Sequence, residues 1–320
     1  MVAHKLRKEV KPLLIERGRI VFSCCGDADG PFVIFSAGIH GNEPSGVLAL
    51  HHVFDEIVSQ NIGINGSVLA FVGNRNALNM GQRYATIDLN RLWTDDNIAR
   101  LQNGGFKPAE LNPDVLEMIK IHELISNFEN IAGGKEHYFI DLHTTSAPSV
   151  PFAVVDKDTE SLRVALKFPL PVITNLNEFL KGTMLNYHDK RGFCGLVFEA
   201  GQHYDPMSVA KHEAIIWLTL AETGALKPEQ IPGYNAKFAL LNGLSDDPHK
   251  KFKIIFRQGI AEGDSFELIP GFVNFQWVQQ GDVLGTLNGQ PLVCPADGRI
   301  FMPLYQSKGE DGYFLVERVM

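Results

Sequence analysis

The sequence predicts an α/β fold, a mixed, mostly parallel sheet with helices on both faces, followed by a small C-terminal all-β domain. Three observations predict it. Short, almost wholly apolar runs alternate with helix-period segments over the first two-thirds of the 320 residues. A Pro- and Gly-bearing stretch, LKPEQIPGY, then occupies 226–234 and suits a linker. Beyond it the pattern changes to short strand candidates cut by Gly, Pro, Asn and Asp.

The apolar runs lie at 31–38 (PFVIFSAG), 67–73, 137–143, 151–155 and 194–199. Because they do not alternate with polar residues, they read as strands covered on both faces, which is the parallel-sheet signature. Helices are expected between them. One begins at Pro44 and runs through Leu50 and beyond. A second, over 113–128, places Val115, Met118, Ile119, His122 and Ile125 on one face, and a third, over 206–222, does the same with Val209, Ile216 and Leu220. These readings divide the chain into an α/β domain over 1–227 and a β domain over 228–320. The strands of the second are KFKIIF, GFVNFQWV, DVLGTL, QPLVC, GRIFMPLY and YFLVERV, with no convincing helix among them. Its GDVLGTLNGQ and VCPADGRI faintly resemble a biotinyl or lipoyl hybrid barrel, but the lysine-bearing hairpin is missing, so a β-module without a prosthetic group is expected.

Composition excludes several function classes. A formal net charge of -8 argues against a nucleic-acid surface, since phosphate contacts need clustered Lys and Arg. The basic start lacks the apolar core of a signal peptide, and no apolar stretch approaches the roughly 18 residues a spanning helix needs. Cys24, Cys25, Cys194 and Cys294 form no C-x-x-C pair and read as reduced structural thiols. A cytoplasmic protein with no membrane partner is expected.

The sharpest local feature is AGIHGNEPSG, starting at Ala37 directly after a predicted strand. Ligands in α/β sheets bind at the carboxyl ends of strands, so His40 and Glu43 stand where a site is expected. Alone, H-x-x-E reads equally as a loop histidine and a helix-capping glutamate. A third donor changes that reading. In YFIDLHTT, strand alternation turns Asp141 and His143 to the same side. Two histidines and one glutamate are a standard hydrolytic zinc set that leaves the fourth position to water. Asp141 is then either a hydrogen-bond partner of a ligand or a structural acceptor. The other histidines lack ligand spacing. His122 falls on a helix's apolar stripe, and His51 and His52 lie past Glu43 within the first helix. His4, His137, His188, His212 and His249 match no ligand pattern, while His203, four residues after Glu199, stands near enough in sequence to approach the site.

Three further segments carry reaction chemistry. RYATIDLNR over 83–91 packs Arg83, Asn90 and Arg91 into a short loop, and an arginine fork matches a carboxylate or a developing oxyanion. Exposed arginines around a helix-capping Asp88 are the alternative. Glu199 ends the apolar strand GLVFE, where a carboxylate beside a metal-bound water acts as general base, or else pairs with a buried arginine. Tyr187 and Arg191, four apart in YHDKR, could close a pocket around a polar substrate. No G-x-S-x-G elbow, phosphate loop or dinucleotide fingerprint is present, and Cys194 reads as core, so metal-assisted hydrolysis is the chemistry left.

Taken in order, His40-Gly-Asn-Glu43, Arg83 through Asp88-Leu-Asn90-Arg91, Asp141-Leu-His143 and Glu199-x-Gly201 resemble the succinylglutamate desuccinylase/aspartoacylase family of the zinc carboxypeptidase superfamily. The likeness covers nearly the whole chain, including the C-terminal β domain. The resemblance implies one Zn2+ per chain held by His40, Glu43 and His143, with Glu199 as catalytic base. It implies Arg83 polarising the scissile carbonyl, and Asn90 and Arg91 gripping a substrate carboxylate. A Tyr-x-x-x-Arg pair binds substrate in aspartoacylase-like members. Tyr187 and Arg191 match its internal spacing but stand closer to Glu199 than the family pattern. A C-terminal tyrosine reaches the site in some relatives, for which Tyr305 and Tyr313 are both candidates. The implied activity is hydrolysis of a small-molecule N-acyl amino acid, with homo-oligomerisation left open. A metallocarboxypeptidase and a non-catalytic metal-binding relative are the alternatives.

Overall fold

In a computed structural model, residues 2–156, 160–244 and 250–319 are described. His249 and the side chain of His4 lie outside the described residues. The strands are β1 (Ile20–Cys24), β2 (Phe32–Ala37), β3 (Ser67–Val72), β4 (His137–Thr145), β5 (Phe152–Val154), β6 (Val172–Thr174) and β7 (Cys194–Gln202), then β8 (Lys251–Gly259), β9 (Phe266–Leu268), β10 (Trp277–Val278), β11 (Val283–Leu287), β12 (Gln290–Val293), β13 (Gly298–Phe301) and β14 (Asp311–Val319). Eleven of them form one sheet in the order β1-β3-β2-β4-β7-β5-β6-β8-β14-β13-β10. The segment β3-β2-β4-β7 is parallel, whereas β1, β5 and the C-terminal strands β14, β13 and β10 bring in antiparallel pairings. A second, antiparallel sheet runs β12-β11-β9.

Each apolar run became a strand because both of its faces are covered. Val33, Phe35 and Ala37 of β2 and Tyr138, Ile140 and Leu142 of β4 pack with the helices Ser45–Ser59 and Ser208–Glu222. On the opposite face, Phe32, Ile34 and Phe139 meet Val115, Met118, Ile121, Ile125 and Phe128 of the helix Pro113–Ile131. Each such side chain contributes roughly 1.5–3 kcal/mol by leaving water, so together they set the register of the strand ends. The register is direct: Ser36 pairs with Asp141, and His143 with Glu199, across neighbouring parallel strands.

Four local readings change. The buried stripe of Pro113–Ile131 includes Ile121, and His122 is half-buried beside it. Pro44 stands one residue ahead of the helix Ser45–Ser59. The stretch 226–234 is packed down, with Leu226 and Ile231 buried. Residues 228–320 also include a helix, Tyr234–Asn242, whose Leu241 is buried against the Ser208–Glu222 layer and whose Tyr234, Phe238 and Leu240 are half-buried there. Among the described residues no helix is long and apolar enough to cross a membrane. All four cysteines are free.

Candidate active site

The strands β4 and β7 and two loops, 38–44 and 81–91, build the site. The loop after β2 carries His40 and Glu43. Its tight path depends on Gly41, whose N–H donates to the Arg83 carbonyl at 3.1 Å. A Cβ at Gly41 would stand 2.0 Å from the Ala77 carbonyl carbon and 2.1 Å from its oxygen. Because that neighbour is helix backbone, the loop itself must move. We expect Gly41→Ala to destabilise the fold by about 1–3 kcal/mol, as overpacking does, and to weaken metal binding, both read by a thermal melt with and without added zinc.

His40, Glu43 and His143 offer ligand atoms that all lie within 4.8 Å of one another, and all three residues are buried. His40 Nδ1 is 2.9 Å from Glu43 Oε1, and His143 Nδ1 is 3.0 Å from Glu43 Oε2. The same Oε2 accepts the Thr144 N–H at 3.0 Å. The outward nitrogens face carboxylates. His40 Nε2 is 3.2 Å from Asp88 Oδ1, and His143 Nε2 is 2.9 Å from Asp141 Oδ2, misaligned for a hydrogen bond. Asp141 also accepts from Ser36 Oγ at 2.6 Å, so it is a structural acceptor that lies against the ligand histidine as a charge partner.

This pattern fits a cation. If each Nε2–H points to its own aspartate, each Nδ1 presents a lone pair toward the Glu43 carboxylate, and three sets of lone pairs converge with no proton between them. A divalent ion resolves that repulsion, and an outer carboxylate on a ligating histidine is the usual way to fix its tautomer. Without an ion, protons must take its place. Burial would raise the Glu43 carboxyl, but the His40 and His143 imidazoles outweigh it and hold it well below the usual range. Burial likewise works against a charged His143, yet Asp141 and Glu43 push its imidazole well above the ordinary value.

Arg83 donates from Nε and Nη2 to Asp88 Oδ2 at 3.1 and 2.9 Å, and its Nη1 lies 3.9 Å from Glu43 Oε1. Asp88 therefore does more than cap the short turn Leu89–Arg91, although its Oδ1 does take the Asn90 N–H at 2.9 Å. Burial would raise its carboxyl, but Arg83 and then His40 hold it well below the carboxylate range. Asn90 Oδ1 accepts from the Met184 N–H at 2.8 Å. Arg91 donates to its neighbour's carbonyl, Asn90 O, and to Asp311 Oδ2, at 2.9 and 2.6 Å. Glu199 sits beside His143 with one carboxylate oxygen buried and unpartnered. Burial pushes this carboxyl up to about 8, with Glu43 and Asp141 adding repulsion against the pull of His143 and Arg83.

One cleft of about 870 Å3, open mouth included, is lined by His40, Glu43, His143, Glu199, Arg83, Asn90 and Arg91. His203 joins them, with its Nδ1 2.8 Å from Thr144 Oγ1 and its Nε2 3.2 Å from Gln306 Oε1. Gln306 also accepts from Asn42 Nδ2 at 2.8 Å, which ties the C-terminal region to the ligand loop.

Tyr187 and Arg191 are not brought to this cleft. Tyr187 packs in an apolar cluster 5.2 Å from the Trp93 ring, and Arg191 stacks on Tyr187 while donating to Glu129 at 2.7 Å. Neither candidate tyrosine lines the cleft: Tyr305 donates to the Ile269 carbonyl, and Tyr313 is buried in the C-terminal core. Asp88 and Asp311 are carboxylates at the cleft to which the sequence assigned no site role. For Asp88 the only signal was its place between two arginines, which fits a cap as well.

The model for the succinylglutamate desuccinylase/aspartoacylase catalytic domain matches residues 29–215. A succinylglutamate desuccinylase of Shewanella sp. (strain MR-7) is 28% identical over 135 residues, which is 42% of this chain and 37% of that protein. The match thus spans well under half the length of that curated relative. Solved succinylglutamate desuccinylases from Vibrio parahaemolyticus and Chromobacterium violaceum share the fold. Their TM-scores are 0.62 and 0.63 at 17% and 18% identity, each covering 92% of this chain and, respectively, 83% and 87% of those chains.

Proposed function

Because the chain belongs to the succinylglutamate desuccinylase/aspartoacylase family, we propose that it is a zinc-dependent amidohydrolase cleaving a small-molecule N-acyl amino acid into a carboxylic acid and an amine. The observation that carries this reading is the meeting of His40, Glu43 and His143 with an unpartnered Glu199 in one cleft that also holds two arginines.

The ion, when bound by His40, Glu43 and His143, supplies Lewis acidity toward the attacking water and the scissile carbonyl. Glu199 takes the proton from that water and later hands it to the leaving nitrogen. Arg83, held by Asp88 and facing the ligand glutamate, stabilises charge growing on the carbonyl oxygen. Arg91 grips the substrate carboxylate, and Asn90 lines the same wall. We take residues 1–227 as the catalytic unit and 228–320 as the unit that narrows its mouth, a division supported by Gln306 and Asp311 lining the cleft. The four free thiols support a reducing, cytoplasmic setting.

The test is an assay of purified, zinc-supplemented protein on N-acyl amino acids beside a blocked dipeptide, before and after chelation. Chelator-sensitive release of the free amino acid from the N-acyl compounds is expected, and preferential cleavage of the dipeptide would sink the reading in favour of a carboxypeptidase.

A further inference from the structure

We propose that the site selects N-acyl amino acids with a single carboxylate and an uncharged, apolar remainder, and disfavours the multiply charged succinylglutamate after which relatives are named. This specificity rests on the hydrolytic reading above and deepens it.

The charge available to a guest is small. Apart from imidazoles, the described basic side chains lining the cleft are Arg83 and Arg91. Arg83 gives two donors to Asp88 and turns its remaining Nη1 toward Glu43 at the reacting end of the cleft. Arg91 meets Asp311 Oδ2 at 2.6 Å, while the other oxygen of Asp311 accepts from Arg257 Nε at 2.6 Å. This cation–anion–cation row carries one net positive charge, which balances one carboxylate. A second carboxylate placed nearby meets the negative Asp311.

Beyond His203 and the neutral hydroxyls and amides of Asn90, Thr144, Thr145, Ser146, Thr183 and Gln306, the rest of the described wall is apolar and adds no further arginine or lysine. Val154, Leu176, Leu180, Leu185, Val197 and Phe314 line the cleft, and all six belong to one buried apolar cluster. An aliphatic or aromatic group set there leaves water without losing any hydrogen bond. A carboxylate set there is desolvated with nothing to pair it, a far larger penalty than one methylene more or less.

The test measures kcat/KM of the zinc-supplemented protein for N-acetyl-L-leucine, N-acetyl-L-phenylalanine, N-acetyl-L-aspartate and N2-succinyl-L-glutamate. The same four ligands are titrated calorimetrically into the Glu199→Gln variant. We expect the first two to exceed the acidic pair by about 100-fold or more in kcat/KM, with the same order of binding. Faster cleavage of the acidic pair overturns the specificity and leaves the hydrolytic reading standing. If nothing is cleaved but the apolar ligands bind preferentially, the specificity stands and the hydrolytic reading falls. Absence of both turnover and binding preference overturns both. In Asp311→Asn the ratio should shift toward N-acetyl-L-aspartate by about tenfold, and an unchanged ratio overturns the charge argument.

Discussion

We expect that replacing Glu199 by Gln lowers turnover at least ~100-fold and leaves zinc binding intact, because the amide fills the same space beside His143 but cannot accept a proton. Single-turnover assays and metal analysis check the two halves separately, and near-normal hydrolysis would remove Glu199 from the mechanism. The same substitution has an opposite effect on stability. In the metal-free protein, burial lifts this carboxyl from its ordinary 4.5 to about 8. A folded-state value above the unfolded one means the folded protein holds the proton more tightly, so its stabilising share is complete below pH 4.5 and is lost as pH rises through 8. Gln never ionises and escapes that loss. After chelation the variant's melting temperature should exceed that of the parent at pH 8.5 and converge with it near pH 4.5. A gap that does not widen with pH would show that the buried carboxylate finds a partner.

His143→Ala has the next largest effect, since it should empty the metal site and abolish activity together. The imidazole offers a nitrogen 3.0 Å from Glu43 Oε2, and without it that oxygen keeps only the Thr144 N–H among its partners in the described residues. The strand should survive, because His212 Nε2 contacts the His143 backbone carbonyl at 3.0 Å and the neighbouring Leu142 stays buried. Zinc per chain, measured by atomic spectroscopy on a folded variant, should fall from about one toward zero. The milder Asp141→Asn should weaken zinc affinity by about 10- to 100-fold through the outer hydrogen of the same ring. Stoichiometric zinc in His143→Ala would rule out this ligand set.

The central sheet was legible because strands buried on both faces cannot hide their composition, and the same alternation turned Asp141 and His143 to one side. What stayed illegible depended on long-range packing. Strand β6 is three residues long, and β1 is a half-exposed edge, so neither leaves a run to read. In the helix Tyr234–Asn242 only Leu241 is fully buried, which leaves almost no periodic signal. Tyr187 and Arg191, read as closing a substrate pocket, instead meet each other, with the guanidinium 4.9 Å from the ring centroid. A spacing of four says nothing of which way that helix turns, and Trp93 rather than the cleft lies beyond it. The partnership of His40 with Asp88 spans 48 positions, and that of Arg91 with Asp311 spans 220. Neither has a local trace.

That last span bears on biosynthesis. A growing polypeptide already contains the proposed metal donors His40, Glu43 and His143 and the proposed base Glu199 by position 199, yet Asp311, which pairs with Arg91, follows more than a hundred residues later, along with Phe314 of the apolar wall. A selectivity resting on Asp311 and Phe314 would thus be the last property acquired, and loss of β14, which lies between β8 and β13 and buries Tyr313, Phe314, Leu315 and Val316, would open the sheet together with the cleft wall.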